Sequence, residues 1–348
     1  MLWRITFPLV APIVAATTLI IFVLAISEFG VPSLLRVPVF TTEVFTAFAS
    51  LYDFGAATSL ATPLLILVII AAILSRLAIS DRDLTTHRSL HEGLPLKLGR
   101  LRIPAIVSVG LLLVLSVLLP LTVLGFEAGS IERVMVAARS SSVAIMNSIV
   151  LASVGALLVV ALAVLLGYFR GRARSRLAVI ADLIFIVIFA VPSTVVGIGL
   201  IGLWNRSGIL GQIYTSPAII VISYLTRFVP VAALILAPSV RQVPVTSEEA
   251  ASLAGANWPR TLRHIVLPQM RVGIAAALVV AFIFAFGELG ATVLVAPPGE
   301  STLPVRVYTL IANAPSAEVA ALALMQACIV LVPLALFSIF VRHKRRSL

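Results

Sequence analysis

Residues 143–176 read VAIMNSIVLASVGALLVVALAVLLGYFRGRARSR, an uncharged apolar stretch followed at once by a cluster of arginines. A helix needs about 20 apolar residues to cross a bilayer, and this stretch is long enough. Backbone groups in hydrocarbon must be hydrogen-bonded within their own segment, so a spanning segment of an open chain is helical. We therefore predict an all-α polytopic membrane protein with about eight transmembrane helices, at about 9–27, 56–79, 104–125, 143–168, 178–203, 217–237, 270–294 and 317–341.

The composition supports this class. Hydrophobic residues make up 61% of the 348 residues and charged residues 11%, and the mean hydropathy is +1.16. Soluble domains carry about 25% charged residues, and disordered chains are poorly hydrophobic, so both classes are excluded. The single Cys328 excludes a disulfide framework, and we interpret it as a small apolar residue packed between helices. His87 and His91 lack a third ligand, so no metal site and no cofactor are predicted.

The net charge of +11 has a topological explanation. Of the 25 basic residues, 19 lie near the N-terminus, in alternate loops around 76–102, 170–176 and 241–271, or in the C-terminal tail. The positive-inside rule then predicts that both termini are cytoplasmic. The partner implied by this charge is membrane lipid, and nucleic acid is not expected.

An internal repeat becomes visible when the sequence is shifted by 260 positions. Pro8 then meets Pro268, Glu28 meets Glu288 and Gly30 meets Gly290. We predict a parallel repeat in which 1–80 holds the last two spans of a first unit, 81–103 is a basic linker and 104–348 is a complete second unit. On this interpretation the rest of the first unit is missing, either because the chain is truncated or because another subunit supplies it.

The loop between the sixth and seventh spans, residues 248–268, reads EEAASLAGANWPRTLRHIVLP. Ser247 is a candidate N-cap for a helix that begins with Glu248 and Glu249, where acidic groups are favourable. Gly255 ends that helix and permits a turn. A second helix is predicted after Pro259, and Pro268 is expected to mark the entry to span seven.

This loop resembles the EAA loop of the permease subunits of type I ABC importers. The resemblance implies the fold of those permeases and a location in the inner membrane of a bacterial cell. It also implies a separate ABC ATPase, in two copies, that docks on the loop, and a periplasmic or extracellular solute-binding protein. If the chain is not truncated, the missing part of the first unit would lie on a second permease chain. The chain has no GxxxxGK[ST] motif, so it is not itself the ATPase, and no enzyme activity is expected. The alternative is an amphipathic loop on the membrane surface. The predicted ATPase-coupling residues are Glu248, Glu249, Ala250, Ala251, Gly255, Ile265, Leu267 and Pro268.

Two further stretches, 223–232 and 287–310, resemble the fused two-unit permeases of iron(III) importers and of their relatives for thiamine, phosphonates and polyamines. Iron(III) is the first choice of substrate, and another small solute is the alternative. An ion-driven secondary transporter is a rival class, but it should carry buried acidic relays, and the spans offer few.

Charged residues in or beside the spans are candidates for the translocation path. Arg227 lies mid-span and could either bind an anionic substrate or satisfy carbonyls freed by Pro230. Glu28 and Glu288 are expected near the outer interface, about 27–30 Å above their cytoplasmic prolines. They could contact a cation, or they could be solvated or capping groups. Asp182 is expected near the start of span five, where the helix dipole would stabilise it.

Proline and glycine residues within the spans are candidates for a gate or a kink. Pro192 and Gly197 in span five, and Pro230 in span six, could bend a helix or let two helices pack closely.

Overall fold

The computed structural model describes residues 7–78, 99, 102–173 and 175–346, and within these ranges the regular structure is helical, with no strand. Nearly all of the predicted linker 81–103, together with His87 and His91, lies outside the described residues. The first part of the chain forms α1 (Phe7–Ile26), α2 (Gly30–Leu34), α3 (Phe40–Ala49) and α4 (Phe54–Ala78).

The remaining helices follow in chain order. They are α5 (Arg102–Leu113), α6 (Leu119–Ala128), α7 (Ile131–Ser140), α8 (Ser142–Arg172), α9 (Ser175–Ala190), α10 (Ser193–Trp204), α11 (Ile209–Tyr214), α12 (Ala218–Arg241), α13 (Val245–Leu253), α14 (Trp258–Thr261), α15 (Leu267–Gln269), α16 (Arg271–Phe286), α17 (Thr292–Val295), α18 (Leu303–Ile311) and α19 (Ser316–Arg346). A π-helical turn joins α5 to α6 (Val114–Leu118), and another joins α14 to α15 (Leu262–Val266).

Six helices of the described residues are long and apolar enough to cross a membrane, and the number rises to eight if two bent pairs each count as one span. The fifth predicted span is one of these pairs: α9 and α10 meet at 91°, so 178–203 is not a continuous helix. The seventh is the other, because the helical stretch 258–269 meets α16 at 81°. Pro192 explains the first break, since proline removes a helical hydrogen bond and clashes with the preceding turn.

The core is built around α8 and α12. Small residues on α8 let the two helices approach closely, as is common in membrane bundles. A Cβ at Gly155 would lie 2.7 Å from Tyr224 Cδ2, and one at Gly167 would lie 2.9 Å from Leu236 Cβ. Ala156 and Ala163 on α8 are also buried. The other long helices pack around this pair, and α16 also contacts α8.

The helix order repeats along the chain. A long helix, two short helices and a long helix form α1 to α4, and the same pattern returns in α16 to α19. The helices α17, α18 and α19 begin 262, 263 and 262 residues after α2, α3 and α4. In both groups the two long helices pack on each other.

Candidate functional site

A cavity of about 440 Å³ opens where α1, α9, α12, α16 and α18 come together. Its wall includes Glu28 and Gly30 from the first copy of the repeat and Glu288 and Gly290 from the second. Arg227 from α12 also lines it. The structure therefore brings all three sequence-predicted path residues to one cavity.

The two copies meet through their matching segments beside this cavity. A Cβ at Gly30 would lie 3.6 Å from Leu289 Cδ2, and a Cβ at Gly290 would lie 3.4 Å from Phe29 Cβ. The contact is reciprocal, as at a two-fold interface, because the 260-residue shift pairs Phe29 with Leu289 and Gly30 with Gly290.

Phe29 also contacts aromatic residues of both copies of the repeat. It is 2% exposed, and its ring lies 4.9 Å from Phe45 and 6.1 Å from Tyr308, measured between ring centroids. Phe45 and Tyr308 are themselves matched in the repeat when a short gap is allowed. A buried aromatic side chain of the first copy thus contacts both matched aromatic residues.

Arg227 and Glu288 form an ion pair at the cavity wall. Their side chains are 12% and 6% exposed, so the pair is largely removed from solvent. Glu288 Oε1 also accepts a hydrogen bond of 2.9 Å from the backbone N–H of Ala291. Neither sequence interpretation of Arg227 included this partner, because the two residues are 61 positions apart.

The surroundings of Glu288 correct one part of the sequence prediction. Its carboxylate is buried and paired with Arg227 rather than solvated, while its bond to the N–H of Ala291 fits the capping alternative. The prediction counted helix length from Pro268, but the chain bends at Met270 and α16 begins at Arg271. Counted from Arg271, Glu288 lies about 25 Å along the chain instead of about 30 Å.

Glu28 differs from its repeat counterpart. It is exposed, and its Oε1 accepts hydrogen bonds from the backbone N–H groups of Gly30 at 2.8 Å and Val31 at 3.4 Å. The capping interpretation therefore describes Glu28. The cavity consequently contains one carboxylate that is neutralised by arginine and one that is not.

The break between α9 and α10 also reaches the cavity. Phe189 and Ser193, on either side of Pro192, both line it. Ser27 Oγ donates a hydrogen bond of 2.9 Å to the carbonyl oxygen of Ala190, which ends α9. A Cβ at Gly290 would lie 2.9 Å from Ser193 Cβ. Both copies of the repeat thus contact the break.

The other two kink candidates lie inside helices. The helix α12 continues through Pro230, which is buried, and no break occurs there. Gly197 lies within α10, where an added Cβ would be 2.9 Å from Leu294 Cδ1 and 3.2 Å from Ala291 Cα. Gly197 is therefore a close-packing position, and only Pro192 marks a bend.

Asp182 also departs from its prediction. It is the eighth residue of α9 rather than one near its start, and it forms an ion pair of 2.5 Å with Arg170. The arginine is 9% exposed and the aspartate 15%. A buried partner, and not the helix dipole, accounts for this carboxylate.

The predicted coupling loop folds as a helix, a tight turn and a second helix. Gly255 has φ +83, a left-handed conformation that glycine adopts without steric cost. The N–H of Ala256 donates to the carbonyl of Ala251, and the N–H of Gly255 donates to that of Ser252, both at 2.9 Å. These two bonds form a Schellman motif, and Asn257 then caps α14.

Two boundaries of this loop differ from expectation. The first helix, α13, begins at Val245, so Ser247 lies in its first turn instead of capping it. Pro268 lies in α15, before the bend, so the seventh span is entered at Arg271.

The predicted coupling residues differ in their exposure to solvent. Glu249, Ala250, Gly255 and Pro268 are exposed, whereas Ala251, Ile265 and Leu267 are half-buried. Leu253 is 91% exposed, although the sequence analysis did not single it out. Glu248 faces inward and forms an ion pair with Arg172 of α8.

Comparison with known proteins gives a family assignment. Residues 160–348 match the family described as the binding-protein-dependent transport system inner membrane component. The match covers more than half of the 348 residues. The chain belongs to this family. The members of the family are transport permeases rather than enzymes, and they are multi-pass proteins of the inner membrane.

Individual relatives are more distant. The Fe(3+)-transport system permease protein FbpB 2 of Haemophilus influenzae is 26% identical over 334 residues, which cover 93% of this chain and 64% of the relative. A putative 2-aminoethylphosphonate transport system permease protein, PhnV of Salmonella paratyphi A, is 30% identical over 155 residues, or 43% of this chain and 56% of the relative. The chain thus spans less than two thirds of the length of either protein.

Solved structures confirm the predicted fold. A bacterial ABC transporter involved in the import of the acidic polysaccharide alginate matches with a TM-score of 0.55 and 15% identity, over 69% of this chain and 94% of that one. The same kind of transporter in complex with an alginate pentasaccharide-bound periplasmic protein matches with a TM-score of 0.54 and 16% identity, over 69% and 92%.

Proposed function

We propose that this chain forms the substrate path of a binding-protein-dependent ABC importer and works by alternating access. The observation that carries the proposal is the cavity between the two copies of the repeat, into which Glu28, Glu288 and Arg227 all project. Charged groups inside a membrane protein are costly, and those that line a cavity are candidates for a substrate pathway. The units 1–80 and 104–348, separated by the linker 81–103, are the proposed halves of this path.

A separate ATPase subunit, in two copies, supplies the energy in this proposal. Its docking surface is the exposed part of the loop, with Glu249, Ala250, Leu253 and Gly255. Glu249 would pair with a basic group of the ATPase, and Gly255 would set the turn between the two helices. On the opposite side of the membrane, a solute-binding protein delivers the substrate. Both termini are cytoplasmic in this arrangement.

Iron(III) is the proposed substrate. Haemophilus influenzae FbpB 2, named for Fe(3+) transport, matches 93% of this chain, and its relative FbpB 1 matches 88%. The PhnV proteins match 43%. The ionisable side chains of the cavity also leave a negative balance, because Arg227 neutralises Glu288 while Glu28 has no cationic partner among the lining residues.

A phosphonate is the second candidate. The PhnV relatives are more similar in sequence over the part they match, at 29–30% identity. The guanidinium of Arg227 can bind a pair of phosphonate oxygens. For this candidate the substrate would have to displace Glu288 from Arg227, which an iron(III) substrate need not do.

Uptake measurements in the native cell test the proposal. Cells deleted for the chain, and cells complemented with it, are supplied in parallel with radiolabelled iron(III) and radiolabelled 2-aminoethylphosphonate. We expect energy-dependent iron uptake to be lost on deletion and restored by the chain. Restoration of phosphonate uptake alone would move the assignment to the second candidate. An unchanged uptake of both solutes, with no ABC ATPase co-purifying with the tagged chain, would contradict the importer itself.

A further inference from the structure

The cytoplasmic end of α8 holds the first helix of the coupling loop through a polar clamp. Glu248 Oε2 accepts a hydrogen bond of 2.7 Å from the Tyr168 hydroxyl, and the same carboxylate forms an ion pair with Arg172. Arg172 also donates to the carbonyl oxygen of Val243 at 3.0 Å. The side chains of Arg172 and Glu248 are 20% and 14% exposed, so solvent screens this clamp only partly.

The second helix of the loop is held by aromatic contacts on the same turn of α8. The Trp258 ring stacks on Phe169, with ring centroids 6.4 Å apart and planes at 16°. It also meets Tyr168 edge-on at 5.6 Å. Residues 168, 169 and 172 thus fix both helices of the loop, one on each side of the turn at Gly255.

The opposite end of α8 is attached to the cavity wall. Ser148 Oγ accepts a buried hydrogen bond of 2.5 Å from the backbone N–H of Leu303, the first residue of α18. Asn147 donates to Glu300 at 3.1 Å. Because α18 carries Tyr308 into the cavity, its position determines the shape of that wall.

Between these two attachments α8 is a single continuous helix. It runs unbroken for 31 residues without an internal proline. The other described helices of more than 20 residues, α4, α12 and α19, all contain internal proline. Ser148 and Tyr168 are 20 positions apart in α8, or about 30 Å, the thickness of the hydrocarbon core.

We infer that α8 is the mechanical link between the coupling loop and the α18 wall of the cavity, and that Glu248 is the positioning residue that fixes the loop to this link. The inference rests on the proposed function, because it needs an ATPase that moves the loop. It separates the two adjacent glutamates: Glu249 faces the ATPase, whereas Glu248 faces α8.

The test compares neighbouring variants of the whole complex. Glu248→Gln keeps the size of the side chain but removes its charge, Tyr168→Phe removes a single hydrogen bond, and Glu249→Gln is the matched control one residue away. The amount of ATPase that co-purifies is measured for each variant. Uptake is measured with labelled iron(III) or 2-aminoethylphosphonate, whichever the wild-type chain imports.

We expect Glu248→Gln to retain the ATPase and to lower uptake by roughly 2- to 30-fold, the range seen for residues along a coupling network. Tyr168→Phe should show a smaller loss in the same direction. Exchanging the charges, with Glu248→Arg and Arg172→Glu together, should recover part of the uptake that either single change removes. Glu249→Gln should instead reduce the ATPase that is captured.

Two results would overturn the inference. One is loss of the ATPase from Glu248→Gln to the same extent as from Glu249→Gln, because Glu248 would then contact the partner. The other is unchanged uptake in both Glu248→Gln and Tyr168→Phe at normal membrane levels. If the wild-type chain captures no ATPase at all, the proposed function fails, and this inference fails with it.

Discussion

A single glycine determines how closely the loop that carries Glu288 approaches the break between α9 and α10. At Gly290 an added Cβ would lie 2.0 Å from Ser193 Oγ and 2.9 Å from Ser193 Cβ. The hydroxyl can rotate away, but the Cβ of Ser193 is fixed by its backbone. A side chain at 290 must therefore push the α9–α10 break away from the loop that carries Glu288.

Gly290→Ala should destabilise the protein by about 1–3 kcal/mol, the usual cost of overpacking a close contact. Gly199→Ala is the matched control, because nothing lies within 4 Å of an added Cβ there, and it should be neutral or stabilising by about 0.5–1 kcal/mol in the helix. Thermal unfolding in detergent measures both. Equal melting temperatures for the two variants would contradict the close contact.

Gly255 is required for a different reason. Its added Cβ would also meet nothing within 4 Å, so only the backbone conformation at φ +83 disfavours a side chain. That conformation costs an L-residue about 1–2 kcal/mol, and asparagine tolerates it better than most.

Substitution at 255 should therefore reduce ATPase capture in the order Gly255→Asn, Gly255→Ala, Gly255→Val, with the valine variant weakest. Membrane insertion should be the same for all three, because the loop lies outside the spans. Co-purification of the ATPase, normalised to the amount of chain in the membrane, gives the order. A valine variant that captures as much ATPase as the wild type would show that the turn is not needed for docking.

At the scale of helices, the pair Arg227–Glu288 joins α12 to the segment that follows α16. Removing one partner of a buried pair leaves an uncompensated charge, whereas removing both is often tolerated. The pair therefore fixes the relative position of two elements that surround the cavity, and its loss should be partly repaired by a second neutralising change.

Arg227→Met alone should destabilise the protein by about 3–5 kcal/mol, and adding Glu288→Gln should recover most of that stability. Glu28→Gln is the control at the matching repeat position, where the carboxylate is exposed, and it should leave the melting temperature nearly unchanged. If Arg227→Met and the double variant melt alike, the two charges do not stabilise each other.

The sequence predicted the elements better than it predicted their contacts. Long apolar runs are sufficient to place most helices, and Pro192 shows where one must stop. The direction of the 91° bend depends on packing partners far along the chain, such as Ser27 and Gly290. The inward orientation of Glu248 was also missed, because adjacent helical residues point about 100° apart and only the tertiary structure shows which of two glutamates meets α8.

For the whole molecule, the repeat explains why the candidate site lies where it does. Two copies of one helix pattern meet through reciprocal contacts of their matched loops, so the Glu-x-Gly segments of both copies converge on one cavity. This convergence could be expected from the 260-residue shift only if the copies were known to pack face to face. The shift alone allows them to lie side by side, and the structure decides between these arrangements.

The same arrangement predicts a sidedness that cysteine labelling can measure. Cys328 is exposed rather than packed between helices as the sequence predicted, so the background carries Cys328→Ser. In this background single cysteines replace Arg36, Asn205 or Arg263, all of which are exposed. Arg36 and Asn205 lie in loops on the predicted outer side, while Arg263 lies in the coupling loop. A charged maleimide should therefore modify Arg36→Cys and Asn205→Cys in intact cells but Arg263→Cys only after the membrane is permeabilised. Modification of Arg263→Cys in intact cells would reverse the orientation and place the coupling loop out of reach of any cytoplasmic ATPase.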